Sequence, residues 1–273
     1  MKTRVITAVV AIAVFIPILF FLPVIFLRVL LSIFCCIGTY ELMCEAKAVD
    51  KKSPYLYFCC FMSAVVTFIA GGIDYTRWHL YLAAWIFMFG TFLFGVINKE
   101  FVNVSAIGRG FFAALVIPYM FSSVVRIISI TDFGKYLVLL PWICVWVCDS
   151  AALFTGKAFG KRKLAPLVSP KKTVEGSIGG LLAAIIGSLL YVVLINLIFK
   201  VELNIIPAII FGALGSTAGQ LGDLAFSLIK RDAGIKDYGK VFPGHGGVYD
   251  RFDSIIFASS FFEIFCIYIY SII

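Results

Sequence analysis

The chain has 273 residues, of which 62% are hydrophobic and only 14% charged, and its formal net charge is +8. A soluble domain carries roughly a quarter charged residues and could not cover its surface with so few, so the bilayer must be the main solvent. A nucleic-acid partner is not needed, because membrane topology accounts for the positive balance first.

Nine apolar runs approach the roughly 20 residues needed to cross about 30 Å of hydrocarbon. They are Val5–Leu22, Val29–Ala46, Tyr55–Ala70, Trp78–Ile97, Phe111–Val125, Tyr136–Phe154, Ile178–Phe199, Ile205–Ile229 and Ile255–Ile273. The runs are continuous rather than alternating, and a backbone in lipid must bond within its own segment, so they predict helices and not a barrel. Met1-Lys2-Thr3-Arg4 ahead of the first run also resembles the start of a signal peptide, but no small-residue cleavage site follows. With the N-terminus cytoplasmic, inside segments hold 18 of the 23 Lys and Arg, against five (Arg28, Arg77, Arg126, Lys135 and Lys200) outside. That asymmetry predicts an all-α polytopic protein with nine spans, N-terminus in and C-terminus out.

The eight cysteines lie in or beside apolar runs, where a free thiol behaves as a small hydrophobe. No linker or repeat divides the chain. It reads as one integral-membrane domain over 1–273, with N-terminal helices to about 130 and the chemistry in 131–273. In the N-terminal half, Glu41 and Glu45 share a helical face near the cytoplasmic end of the second run. Their expected state is solvated at the interface, with a place in a polar cavity as the alternative.

Ionisable residues inside spans mark functional sites. Asp149 and Asp223 are the clearest, and Glu263 serves function or structural pairing equally well. Asp223, Ser227, Lys230 and Arg231 fall at helical spacing along one stripe, so a carboxylate, a hydroxyl and two cations share one face. Asp232 to Ser254 then carries five glycines and Pro243, which breaks the helix into a loop. Such glycines allow successive amides to point at one anion. Asp250, Asp253 and Ser254 open the last span, more polar groups than a helix cap requires. Asp223 and Asp250 are the natural pair for Mg²⁺, which takes one or two carboxylates plus phosphate oxygens and water. Lys230, Arg231, Lys236 and Arg251 would neutralise phosphates, and His245 would bind phosphate or assist proton transfer.

The other charged segment holds Lys157, Lys161, Arg162, Lys163, Lys171 and Lys172. Near a membrane such cations attract anionic headgroups by about 1 kcal/mol each. Gly156, Gly160, Pro166 and Pro170 predict a loop here and not an extension of the helix before it. Gly156-Lys157 lacks the glycine pattern of a Walker A loop.

Taken together, Ser227-x-x-Lys230-Arg231, Lys236-Asp237 and His245-Gly246-Gly247-x-x-Asp250-Arg251-x-Asp253 resemble the signature of the CDP-diacylglycerol synthase (phosphatidate cytidylyltransferase) family. The Asp149 segment, the stretch from Ser169 to Gly176 with Lys171, Lys172 and Glu175, and Tyr40-Glu41-Leu42 are similar to it as well. The resemblance implies transfer of CMP from CTP to phosphatidate, with Asp223 and Asp250 as the metal aspartates. It also implies Mg²⁺, a monovalent cation such as K⁺ and a homodimer. The compact chain points to a bacterial inner membrane, with an organelle membrane as the alternative, and the charge asymmetry places the site on the cytoplasmic side. Ser227, Lys236, Asp237, Gly246, Gly247, Arg251, Asp253, Asp149, Lys171, Lys172 and Glu175 are then expected to bind substrate. Asp223, Asp250, Lys230, Arg231 and His245 are expected to serve the transfer. Phe226 and Leu153 depart from the family, where many members carry Glu and Tyr. A CTP-dependent polyprenol or phytol kinase and an ion transporter using the intramembrane acids are the competing readings.

Overall fold

The computed structural model describes residues 13–45, 48–72, 78–97, 104–131, 133–244 and 246–269. Lys2, Arg4, Lys47, Arg77, Lys99 and His245 lie outside the described residues, as does the first part of the first apolar run. Residues 13–21 are helical. The helices that follow are α1 (Val24–Glu45), α2 (Pro54–Ala70), α3 (Trp78–Ile97), α4 (Val104–Ile130) and α5 (Gly134–Phe159). A two-stranded hairpin, β1 (Lys163–Ala165) and β2 (Ser169–Thr173), precedes α6 (Val174–Phe199), α7 (Ile205–Asp232) and α8 (Tyr249–Ile269).

Among the described residues, six helices are long and apolar enough to cross a membrane: α1 as far as Cys44, α3, α4, α5, α6 and α7. The chain is thus a helical, multi-pass membrane protein. The 17 residues of α2 span about 25 Å at 1.5 Å per residue, short of a full hydrocarbon core. Four charged residues, Asp250, Arg251, Asp253 and Glu263, interrupt the apolar character of α8.

By contacts the chain divides into two compact units. The first comprises Met1–Arg126 and Lys230–Phe252, and the second Ile127–Ile229 and Asp253–Ile273. In the first, α1 and α2 pack together, with Leu27, Leu31, Cys35 and Leu42 of α1 and Tyr55, Cys59 and Val66 of α2 all buried. Phe58 of α2 stacks on Phe87 of α3 with 5.7 Å between centroids. The fifth apolar run extends further each way than its composition suggests. A π-helical turn over Phe112–Val116 joins the flanking α-helical stretches just ahead of Pro118, whose missing N–H such a turn accommodates.

In the second unit, α5 and α6 meet along small residues. Gly176, Gly180, Ala184 and Ser188 recur at every fourth position of α6 and are all buried. This spacing lets helix backbones approach in lipid. A Cβ on Gly180 would stand 2.8 Å from the Cys148 carbonyl, which no ordinary side chain tolerates. The opposite stripe of α6 (Ile178, Leu182, Ile186, Leu190 and Leu194) is exposed, as a lipid-facing surface should be.

One local expectation is corrected here. The chain after Asp149 does not turn at Gly156: α5 continues to Phe159 before the hairpin begins. The glycine serves packing instead, because a Cβ there would stand 2.9 Å from Thr173 Oγ1. The hairpin is antiparallel, with Lys163 opposite Thr173 and Ala165 opposite Ser169. Thr173 caps α6 by accepting from Gly176 N at 3.1 Å.

Candidate functional site

The predicted stripe is real helix. Asp223, Ser227, Lys230 and Arg231 all lie on α7, and the helix ends at Asp232. Its stop is a Schellman motif. Gly234 has φ +69°, its N–H bonds to the Arg231 carbonyl at 3.0 Å, and Ile235 N bonds to the Lys230 carbonyl at 2.9 Å. The chain then runs through Tyr238, turns at Pro243-Gly244 (Gly244 φ +75°), and returns as Phe242 N bonds to the Gly246 carbonyl at 3.0 Å. A Pro-Gly pair with positive φ at the glycine is standard turn chemistry. The helix α8 starts at Tyr249, so Asp250 stands in its first turn.

In the first unit this loop is organised around Asp250. Lys230 Nζ donates to its Oδ1 at 2.8 Å. Its Oδ2 accepts from the backbone N–H groups of Tyr238 at 2.8 Å and Gly247 at 2.9 Å. The Lys230 ammonium also lies 5.4 Å from the centre of the Tyr238 ring, which is itself fully buried. Gly246 has φ +90°, and a Cβ on it would come within 2.9 Å of Asp250 Oδ2. The amides expected to cradle a phosphate are therefore partly engaged, since Gly247 donates to the chain's own carboxylate. Arg231, Lys236, Asp237 and Arg251 are exposed around this core, and Arg231 Nη1 donates to the Ile235 carbonyl at 3.4 Å.

Glu41, expected first at a solvated interface with a polar cavity as the alternative, holds the other side of the loop. Glu41 of α1 is 5% exposed, not solvated, and its Oε2 accepts from Val248 N at 2.7 Å. Tyr249, also buried, places its hydroxyl 3.3 Å from both Thr39 Oγ1 and the Cys35 carbonyl. Gly38 makes room for that ring. The similarity at Tyr40-Glu41-Leu42 is the sequence signal that points here.

In the second unit, Asp223 is the centre. Lys172 Nζ of β2 lies 2.5 Å from its Oδ2, and Ser227 Oγ donates to its Oδ1 at 3.3 Å. Asp149 on α5 lies within electrostatic range of both Asp223 and Lys172. Glu175 does something different. Its Oε2 accepts from Lys161 N at 3.0 Å and Arg162 N at 3.1 Å, which ties down the root of the hairpin. Lys171 is exposed on β2, and the Asp253 carboxylate accepts from Ser254 N at 2.7 Å.

Among the described residues no group of three or more His, Cys, Asp or Glu side chains is arranged to hold a metal ion. Asp223 and Asp250 offer oxygen donors alone, and each already holds a lysine ammonium. Each is by itself a hard oxygen donor of the kind Mg²⁺ takes alongside water and substrate phosphates, and Asp223 is the more open of the two, 28% exposed against 2% for Asp250.

A helical multi-pass membrane protein with paired aspartates and lysines, and a cationic glycine loop beside one of the pairs, has the equipment to handle a polyphosphate at a membrane. The pattern of the Cytidylyltransferase family matches residues 2–269, and the chain belongs to that family. It is 43% identical over 136 residues to the phosphatidate cytidylyltransferase of Haemophilus influenzae, a match covering 50% of this chain and 47% of that protein. Against the phosphatidate cytidylyltransferase of Bacillus subtilis it is 34% identical over 166 residues, 61% of this chain and 60% of that one. The corresponding protein of Staphylococcus saprophyticus is 40% identical over 136 residues, 50% and 51% of the two chains. The matched stretch thus spans about half the length of the curated relatives.

Proposed function

We propose that this protein is a phosphatidate cytidylyltransferase, transferring CMP from CTP to phosphatidate to give CDP-diacylglycerol and pyrophosphate. The observation that carries the reading is the loop around Asp250. A buried lysine–aspartate pair fixes the glycine segment, and the cations Arg231, Lys236 and Arg251 stay exposed beside it. Family membership and the names of the relatives support the same reaction.

In the proposed chemistry a phosphate oxygen of phosphatidate attacks the α-phosphorus of CTP. The new P–O bond forms as the α–β anhydride bond breaks, and pyrophosphate leaves with that electron pair. The lipid phosphate is already ionised near neutral pH, so no side-chain nucleophile is needed. Lys230, Arg231, Lys236 and Arg251 balance the charge of the phosphates, with Ser227, Asp237, Gly246, Gly247, Asp253, Asp149, Lys171, Lys172 and Glu175 binding substrate or shaping the surface that does. His245 has a phosphate-binding or proton-transfer role. We assign Asp223 and Asp250 to Mg²⁺, which when bound would lower the charge on the nucleotide phosphates, and add K⁺ as a monovalent cofactor. Catalysis of this kind rests on positioning and charge neutralisation.

The same reading includes nine spans with the N-terminus inside, a bacterial inner membrane, a cytoplasmic site and a homodimer. The lysine and arginine asymmetry supports the orientation. The test is the stereochemical course with CTP made chiral at the α-phosphorus. Inversion is expected for direct displacement, and retention would demand a covalent intermediate. A phosphorylated alcohol as product, with no CDP-diacylglycerol, would move the protein to the lipid kinases.

A further inference from the structure

We infer that Glu41 is a positioning residue for the transfer site: from α1 it holds the glycine loop in the shape that seats Asp250. The inference rests on the reading of that loop as part of the site. A carboxylate buried to 5% exposure is costly unless it meets donors, and this one accepts from Val248 N at 2.7 Å, a short charge-assisted bond. The neighbouring amide, Gly247 N, goes to Asp250 Oδ2 at 2.9 Å. Two consecutive N–H groups are thus claimed by two carboxylates, one from α1 and one from α8.

The approach is close enough to require glycine on both sides. A Cβ on Gly239 or on Gly247 would overlap the Glu41 carboxyl group. These glycines flank the Pro243-Gly244 turn, so one side chain grips both strands of the loop. The grip is reinforced next door, where Tyr249 inserts against Gly38 and meets Thr39 of the same helix. Loss of the carboxylate would free Val248 N and leave the loop to re-form around Asp250 alone. Glu41 would therefore act on the reaction through the loop backbone without touching substrate.

The experiment compares wild type, Glu41→Gln and Glu41→Ala in detergent, by hydrogen exchange of peptides spanning 238–250 and by CTP-dependent turnover of phosphatidate. In wild type the Val248 amide should exchange slowly. Glu41→Ala should speed exchange at least about tenfold in 238–250 while leaving the hairpin at 163–173 unchanged. It should lower kcat by about 100-fold, the scale of a misplacement near 1 Å, with KM for CTP little altered. Glu41→Gln keeps an acceptor oxygen and should restore most of the protection and part of the turnover. Unchanged exchange at 238–250 in Glu41→Ala would overturn the inference, as would a rapidly exchanging Val248 amide in wild type, which needs no variant to fold. Should the protein catalyse some other reaction, the exchange result still reads the grip on the loop by itself.

Discussion

Lys230 and Asp250 form a 2.8 Å ion pair whose side chains are only 10% and 2% exposed. The second oxygen of the same aspartate accepts from the backbone at Tyr238 and Gly247. Twenty residues separate the partners, and the intervening chain is the glycine loop. Asp250 is therefore an organiser of the loop, and its removal should be felt in structure before chemistry.

Asp250→Ala should destabilise the protein by about 3–5 kcal/mol, because it leaves the Lys230 ammonium hidden without a countercharge and frees two buried amides. The midpoint of unfolding in detergent would measure this. A shift no larger than that of an exposed control such as Lys236→Ala would contradict it.

Lys172→Ala should behave in the opposite way. The Lys172–Asp223 pair is about a quarter exposed on each side, and such pairs contribute under about 1 kcal/mol. Stability should hardly change, whereas turnover should fall about 100-fold if the ammonium stabilises transferred phosphate. Equal losses of stability and activity would reduce Lys172 to a structural anchor.

Two glycines with positive φ provide a matched comparison. Gly246→Ala would strain the backbone at φ +90° by about 1–3 kcal/mol and place its methyl 2.9 Å from Asp250 Oδ2. Gly234→Ala, at φ +69° with open space around it, should cost about 1 kcal/mol and keep its activity. Parallel unfolding and turnover curves decide it, and similar inactivation of both variants would argue against a special role for the Gly246–Asp250 contact.

Glu175→Ala should loosen the hairpin root by removing the acceptor for Lys161 N and Arg162 N, while Thr173 still caps α6. Trypsin should cut faster after Lys161, Arg162 or Lys163 with the unfolding midpoint nearly unchanged. Cleavage at the wild-type rate would show that the strand pairing alone holds the hairpin.

Much of this architecture is legible in the residues, and the rest is hidden for identifiable reasons. Apolar runs locate the helices because the bilayer imposes a minimum length, and Trp78–Ile97 is found to the residue. The stripe on α7 follows from helical spacing, and the start of α8 follows from the end of the glycine segment. Glu41 and Val248 stand 207 positions apart, and apart from the family similarity at Tyr40-Glu41-Leu42 nothing local to α1 distinguishes a buried glutamate that grips a loop from a solvated one at an interface. Gly156 looks like a breaker by composition because its packing partner, Thr173, lies beyond the turn. The pairing of Lys172 with Asp223 has the same character: each residue is conspicuous, but only the fold chooses which cation meets which acid.

The most direct test of the central claim is CTP-dependent conversion of phosphatidate by the purified protein with Mg²⁺ and K⁺, wild type beside Asp223→Asn. The account predicts CDP-diacylglycerol and pyrophosphate in equal amounts from wild type, and turnover lower by at least about 100-fold from a variant that unfolds at the same temperature. No product from well-folded wild type would contradict the proposed reaction, and full activity in Asp223→Asn would contradict the assignment of that aspartate.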